Sequence, residues 1–153
     1  MQTKVDVLII GAGPAGASAA ALLHQQGFKL LLVEKQVFPR FVIGESLLPH
    51  CMDLLKEADL LDAVEAQGFI HKCGAVFLRG EETCNFDFSD QFTAGWKHTF
   101  QVPRADFDKT LADTVAARGV PQAVTMAQSS SPLPTASSSR TSSLSMRSRW
   151  TLG

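Results

Sequence analysis

The chain has 153 residues, 45% of them apolar, and a formal net charge of −1. That length supports one domain with its own core, and a balanced charge offers no attraction to nucleic acid or to an anionic membrane surface. Cys51, Cys73 and Cys84 are odd in number and lack Cys-x-x-Cys spacing. They read as reduced, buried or half-buried thiols of a cytoplasmic protein, with no disulfide framework and no metal site. The opening apolar run has no basic leader and is broken by Asp6 and by glycines, so an export signal is not expected.

Residues 5–35 carry the strongest pattern. An apolar, β-branched run from Val5 to Ile10 enters the turn Gly11-Ala12-Gly13-Pro14-Ala15-Gly16. An alanine-rich stretch to about Gln26 reads as a helix, and a second apolar run from Leu30 to Val33 stops at Glu34. Strand, glycine turn, helix, strand and acid in this order predict a βαβ unit that binds a dinucleotide. Gly11 permits the tight turn, Gly13 admits a pyrophosphate against bare backbone, and Gly16 lets helix and strand pack closely. The helix start offers free N–H groups to phosphates, and Glu34 is placed to accept the hydroxyls of an adenine ribose. The unit alone fits either NAD or FAD.

Gly-x-Gly-Pro-Ala-Gly followed by Glu34-Lys35 resembles the first FAD-binding motif of the p-hydroxybenzoate-hydroxylase-like flavoproteins. Residues 38–49, Phe-Pro-Arg-Phe-Val-Ile-Gly-Glu-Ser-Leu-Leu-Pro, are similar to the halogenase-like branch of that superfamily. The resemblance covers about residues 3–118 and implies an FAD-dependent monooxygenase or halogenase. It implies FAD contacts from Gly11, Gly13, Pro14, Ala15, Gly16, Glu34 and Lys35. By the same resemblance Arg40 and the turn Gly44-Glu45-Ser46 lie along the cofactor, near its pyrophosphate and ring ends. An arginine after the ribose-binding acid suits a diphosphate on chemical grounds as well. The partners implied are a small aromatic or polyketide-like substrate and a flavin reductase. An NAD(P)-linked dehydrogenase is the alternative, disfavoured by Gly-Pro-Ala-Gly with the 38–49 motif.

Helices are predicted at about 46–57 and 59–67, with Leu54, Leu55, Ala58, Leu61 and Val64 as core. Strands are predicted at 69–79, 83–88 and 96–102. Within the first, Lys72 opens a Lys-x-Gly-Ala-x-Phe run that resembles the active-site lysine segment of flavin halogenases. In the mechanism this implies, reduced FAD and O₂ give a C4a-hydroperoxide that halide attacks, and the lysine hydrogen-bonds the resulting hypohalous acid or becomes a haloamine near the substrate. Such a role needs an amine that can be neutral part of the time, which lysine allows and arginine does not. His24, His50, His71 and His98 show no pairing and are assigned no role.

Residues 104–118 predict a helix led by Pro103, with Asp106 and Asp108 at its positive end and Phe107, Leu111 and Val115 as its buried stripe. An arginine in a first turn opposes the helix dipole, and the resemblance places Arg104 at the flavin. Beyond Arg118 the composition changes: residues 119–153 hold ten serines, four threonines, three arginines and no acid. The chain thus divides into a partial FAD-binding domain, 1–118, and a serine-rich segment, 119–153, expected to be disordered from about residue 121. In this segment the third sheet strand is expected to be lost, by truncation or frameshift or as a genuine tail. The expected fold is α/β: an incomplete Rossmann-like βαβ domain with a short antiparallel section. As a truncated product, the chain would be at most a catalytically silent FAD binder.

Overall fold

Val7–Ile10 (β1) and Leu30–Glu34 (β2) lie parallel, paired from Val7 with Leu30 to Ile10 with Val33. The helix Pro14–Gln25 (α1) makes the crossover between them, burying Ala17, Ala20 and Ala21 against the sheet. The structure, a computed structural model, describes residues 4–124. His50–Glu57 (α2) and Leu61–Glu65 (α3) follow, separated by Asp59 in the left-handed region at φ 58°. Arg118 pins that corner, donating to the carbonyls of Ala58 and Asp59 and pairing with the Asp59 carboxylate at 3.1 Å.

Ile70–Lys72 (β3), Gly74–Arg79 (β4), Glu82–Asp87 (β5) and Thr99–Gln101 (β6) make two antiparallel pairs, β3 with β6 and β4 with β5. Arg104–Ala117 (α4) then returns to the parallel sheet, where Gln122–Val124 (β7) adds beside β2 to give the order β1-β2-β7. Leu32, Met52, Leu60, Val64, Phe107 and Leu111 sit in one core between sheet and helices.

Four expectations are corrected here. The strand expected over 69–79 breaks at Cys73 into two strands of different sheets. At Gly74 a Cβ would lie 2.4 Å from the Phe86 carbonyl oxygen, so only glycine allows β4 to approach β5 this closely. The helix expected from 46 begins at His50, because the Glu45 carbonyl accepts from Val102 and the Leu47 amide donates to Phe100, which draws this segment along β6. Leu54 is 46% exposed and belongs to the wet face of α2. Cys73 and Cys84 are exposed, and Cys51 is half-buried.

The third parallel strand, expected to be lost after residue 118, is present as β7. The Pro121 carbonyl accepts from the Leu32 amide at 3.0 Å, and Ala123 sits opposite Val33. Three residues are too few to show a period of two. The disorder expected from about residue 121 is thereby overturned for 121–124, which pair with β2; the serine-rich run and the rest of that expectation, 125–153, lie outside the described residues.

Candidate functional site: a dinucleotide cradle and an adjoining lysine

The glycine turn is shaped by backbone demands. Gly11, at φ +99°, sits in the left-handed region, and its amide donates to the Val33 carbonyl at 2.7 Å. Gly13 caps α1 without any side-chain bond, Pro14 occupies the first position, and the first turn holds no acid. The leading amides and partial positive charge of α1 are therefore left for an anion. Ala15 is exposed at the same end.

Glu34 closes the turn from the end of β2. It is 6% exposed, and its Oε2 accepts from the Ala12 amide at 2.8 Å. Its Oε1 accepts from the amides of Lys35 and Gln36 at 2.9 and 3.1 Å and pairs with Arg40 Nη1 at 3.3 Å. The acid is thus a strut between strand and turn, and Oε2 retains a lone pair for a ribose hydroxyl. Lys35 contributes its amide, and its side chain is exposed.

Burial pushes the Glu34 carboxyl up. The amides of Ala12 and Gln36, the Arg40 charge and the Lys35 amide outweigh it and hold the group below its ordinary 4.5. Between that lowered value and 4.5 the unfolded chain binds more protons than the folded one. The Glu34 contribution is therefore complete above about 4.5 and is lost as pH falls through the folded value. Urea midpoints measured from pH 6 downward should fall more steeply for the unmodified chain than for Glu34→Gln.

Sequence reasoning missed the residue that organises the rest. Asp108, fully buried, takes Arg104 on both oxygens, from Nε at 2.8 Å and Nη2 at 3.2 Å. It also takes Arg40 Nη2 at 3.4 Å. Arg104 Nη1 donates in turn to the carbonyls of Ile43 and Gly44 at 3.0 and 3.3 Å. A continuous chain of charge runs from Glu34 through Arg40, Asp108 and Arg104 to the 43–44 turn. Arg104 opens α4, and the three nitrogens of its guanidinium hold protein groups. The available signal was the Arg104-x-x-x-Asp108 spacing, which sets the two side chains on one helix face.

Arg40 lies against the glycine turn, since a Cβ on Gly13 would come 3.1 Å from its Nη2. Its Nε is buried with no partner among the described residues. A buried, unsatisfied cationic donor, an open helix start and a turn free of side chains form the donor set that a diphosphate requires. These residues fit the ADP half of FAD.

The turn continues to Glu45, exposed and bonded through its backbone, and to Ser46. There the half-buried Lys72 places Nζ 2.6 Å from Ser46 Oγ and 5.2 Å from the centre of the Phe88 ring. Burial lowers the Lys72 amine below its ordinary 10.5. The sequence-predicted residues thus form two adjoining groups, a dinucleotide cradle and the lysine site, joined by residues 44–46. The histidines are not all isolated: His71 and His98 stack with ring centres 4.7 Å apart, because β3 and the approach to β6 bring them together. Among the described residues no group of three or more metal-ligating side chains occurs, and no helix is long and apolar enough to cross a membrane.

This fold and cradle define a Rossmann-like, FAD-binding domain. Residues 4–133 match the family model described as FAD binding domain, and the chain belongs to that family. It is 38% identical over 120 residues to a tryptophan 2-halogenase of Chondromyces crocatus, covering 78% of this chain and 22% of that protein. It is 40% identical over 121 residues to the flavin-dependent halogenase armH3 of Armillaria mellea, covering 76% and 23%. Among solved structures, a flavoprotein/dehydrogenase from Cytophaga hutchinsonii matches at 63% identity and a TM-score of 0.77, over 80% of this chain and 30% of that one. CmlS, a flavin-dependent halogenase, matches at 36% identity and a TM-score of 0.72, over 81% and 23%. The chain therefore spans less than a third of the length of each of these relatives.

Proposed function

We propose that this chain is the ADP-binding part of a flavin-dependent, halogenase-like oxidoreductase, with Lys72 as the amine offered to the reacting groups. The observation that carries this reading is the adjacency of Lys72 to the 44–46 turn at the end of the cradle. Bound FAD supplies the redox chemistry. In the chain itself, Gly13 and α1 receive the diphosphate, Arg40 adds a cation, and Glu34 accepts a ribose hydroxyl. Burial makes the Lys72 amine easier to deprotonate, so it can hold or pass on a proton near the cofactor ring. The substrate class is a small aromatic or polyketide-like molecule, and a flavin reductase delivers electrons. The flavoprotein/dehydrogenase at 63% identity favours a second reading, the same FAD site used for oxidation without halide.

The affinity pattern tests the cofactor assignment. FAD and ADP should compete for one site while FMN, which lacks the adenylate half, does not. Glu34→Gln should weaken FAD by about 1–3 kcal/mol, as for a lost charge-assisted bond. Equal competition by FMN would contradict the reading. Given reduced FAD, O₂, chloride or bromide and a panel of indoles, pyrroles and phenols, the chain alone should yield no halogenated or hydroxylated product by mass. Ser46 beside Lys72 is exposed, so water is not excluded from the reacting groups.

A further inference from the structure

Strand register sets up a contact that no sequence spacing reveals. The short strand β6 is flanked on both edges: Ser46 bridges to Gln101 on one side, and Lys72 pairs with Thr99 on the other. Gln101 and Thr99 are two residues apart, so their side chains share a face of the strand. Directly paired residues also share a face. Ser46 and Lys72 therefore stand on the same face across β6, diagonal to one another, within reach of a lysine side chain. The result is the 2.6 Å bond from Nζ to Ser46 Oγ, with the buried Phe88 ring also flanking the amine.

We propose that Ser46 is a positioning residue that fixes the Lys72 amine at the cofactor turn in both of its protonation states. A hydroxyl suits this task where a carboxylate does not. It accepts from –NH₃⁺ through an oxygen lone pair, and by rotating its proton it donates to –NH₂. A carboxylate would hold the lysine charged. The acids nearest along the supporting segments are Glu45, beside Ser46, and Asp87, beside Phe88. Neither forms an ion pair with Lys72 among the described residues. Along the chain Lys72 neighbours His71 and, just past the end of β3, the exposed Cys73, and β6 opposite offers only the uncharged Thr99, Phe100 and Gln101. The aromatic face favours the cation and burial opposes it. With no formal counter-charge in contact, Ser46 keeps the amine placed whichever form is present.

This inference rests on the reading of Lys72 as the functional amine, but its test needs no cofactor. The full chain, without FAD, is titrated by NMR of ¹³C-labelled lysine side chains, with Lys72 assigned by its loss in Lys72→Met. Acetylation of Lys72 by acetic anhydride at pH 8 is quantified in parallel by mass spectrometry.

Ser46→Ala removes a partner of both forms, but the charge-assisted bond to –NH₃⁺ is the stronger, so the Lys72 pKa should fall by roughly half to one unit. Ser46→Thr retains a hydroxyl and should restore the original value. Ser46→Asp should raise the pKa by about one unit or more and slow acetylation about tenfold or more. A merely structural serine would move neither readout. Lys72 titration and acetylation unchanged in folded Ser46→Ala would overturn the proposal. If that variant does not fold, unchanged values in Ser46→Asp would do so. Failure of the chain to bind FAD would leave these results intact and count only against the cofactor reading.

Discussion

Asp108→Ala should destabilise the chain by about 3–5 kcal/mol, the range for removing one partner from a buried ion pair. The carboxylate has no solvent exposure, and the two guanidiniums it holds are only 15% and 16% exposed. Without it, Arg40 and Arg104 face one another across a space with no anion, each partly desolvated. Arg104 would also lose the bond that aims it at the carbonyls of Ile43 and Gly44, and Arg40 would keep only Glu34. Asp108→Asn preserves the shape and removes the charge, so it isolates the electrostatic part and should still be clearly destabilising. Urea denaturation followed by circular dichroism measures both. A loss below about 1 kcal/mol for the alanine variant would show that the network does not depend on Asp108.

Gly16→Ala is expected to cost about 3 kcal/mol or more, at the upper end for overpacking. A Cβ there would stand 1.8 Å from the Gly11 carbonyl oxygen and 3.0 Å from its carbon, both backbone atoms of the glycine turn. Neither can rotate aside. Relief requires α1 to move off the sheet, which would separate Ala17, Ala20 and Ala21 from the core they fill. Ala15→Ser, one position earlier and exposed, should stay within about 0.5 kcal/mol. Thermal melts of the two variants side by side make the comparison, and equal melting temperatures would refute the close-packing role of Gly16.

What the sequence displayed well were features whose cause is local. The βαβ unit was legible because glycines, alanines and β-branched residues each mark their own backbone state. The helix Arg104–Ala117 was legible from Phe107, Leu111 and Val115, which recur on one face and are all buried. Features with distant causes were hidden. Ser46 and Leu47 look like the start of a helix until β6 claims their backbone, and β6 lies more than 50 positions away. Asp108 reads as a helix-dipole acid because its second arginine, Arg40, is 68 positions earlier. Glu34 was legible as the acid that ends the second strand but not as the strut that holds the Ala12 amide. Lys72 was singled out by resemblance, whereas its contact with Ser46 follows only from the register of β3 and β6.

The central claim is that the glycine turn, with Glu34 and Arg40, receives the diphosphate end of FAD. Titrating FAD fluorescence with the unmodified chain and with Gly13→Val tests it most directly, because a valine there meets Arg40 Nη2 and fills the space left for the diphosphate. The expected result is saturable binding by the unmodified chain and at least a tenfold loss, about 1.4 kcal/mol, in a folded Gly13→Val. Equal affinity in the two proteins, or no saturable binding by the unmodified chain, would contradict it.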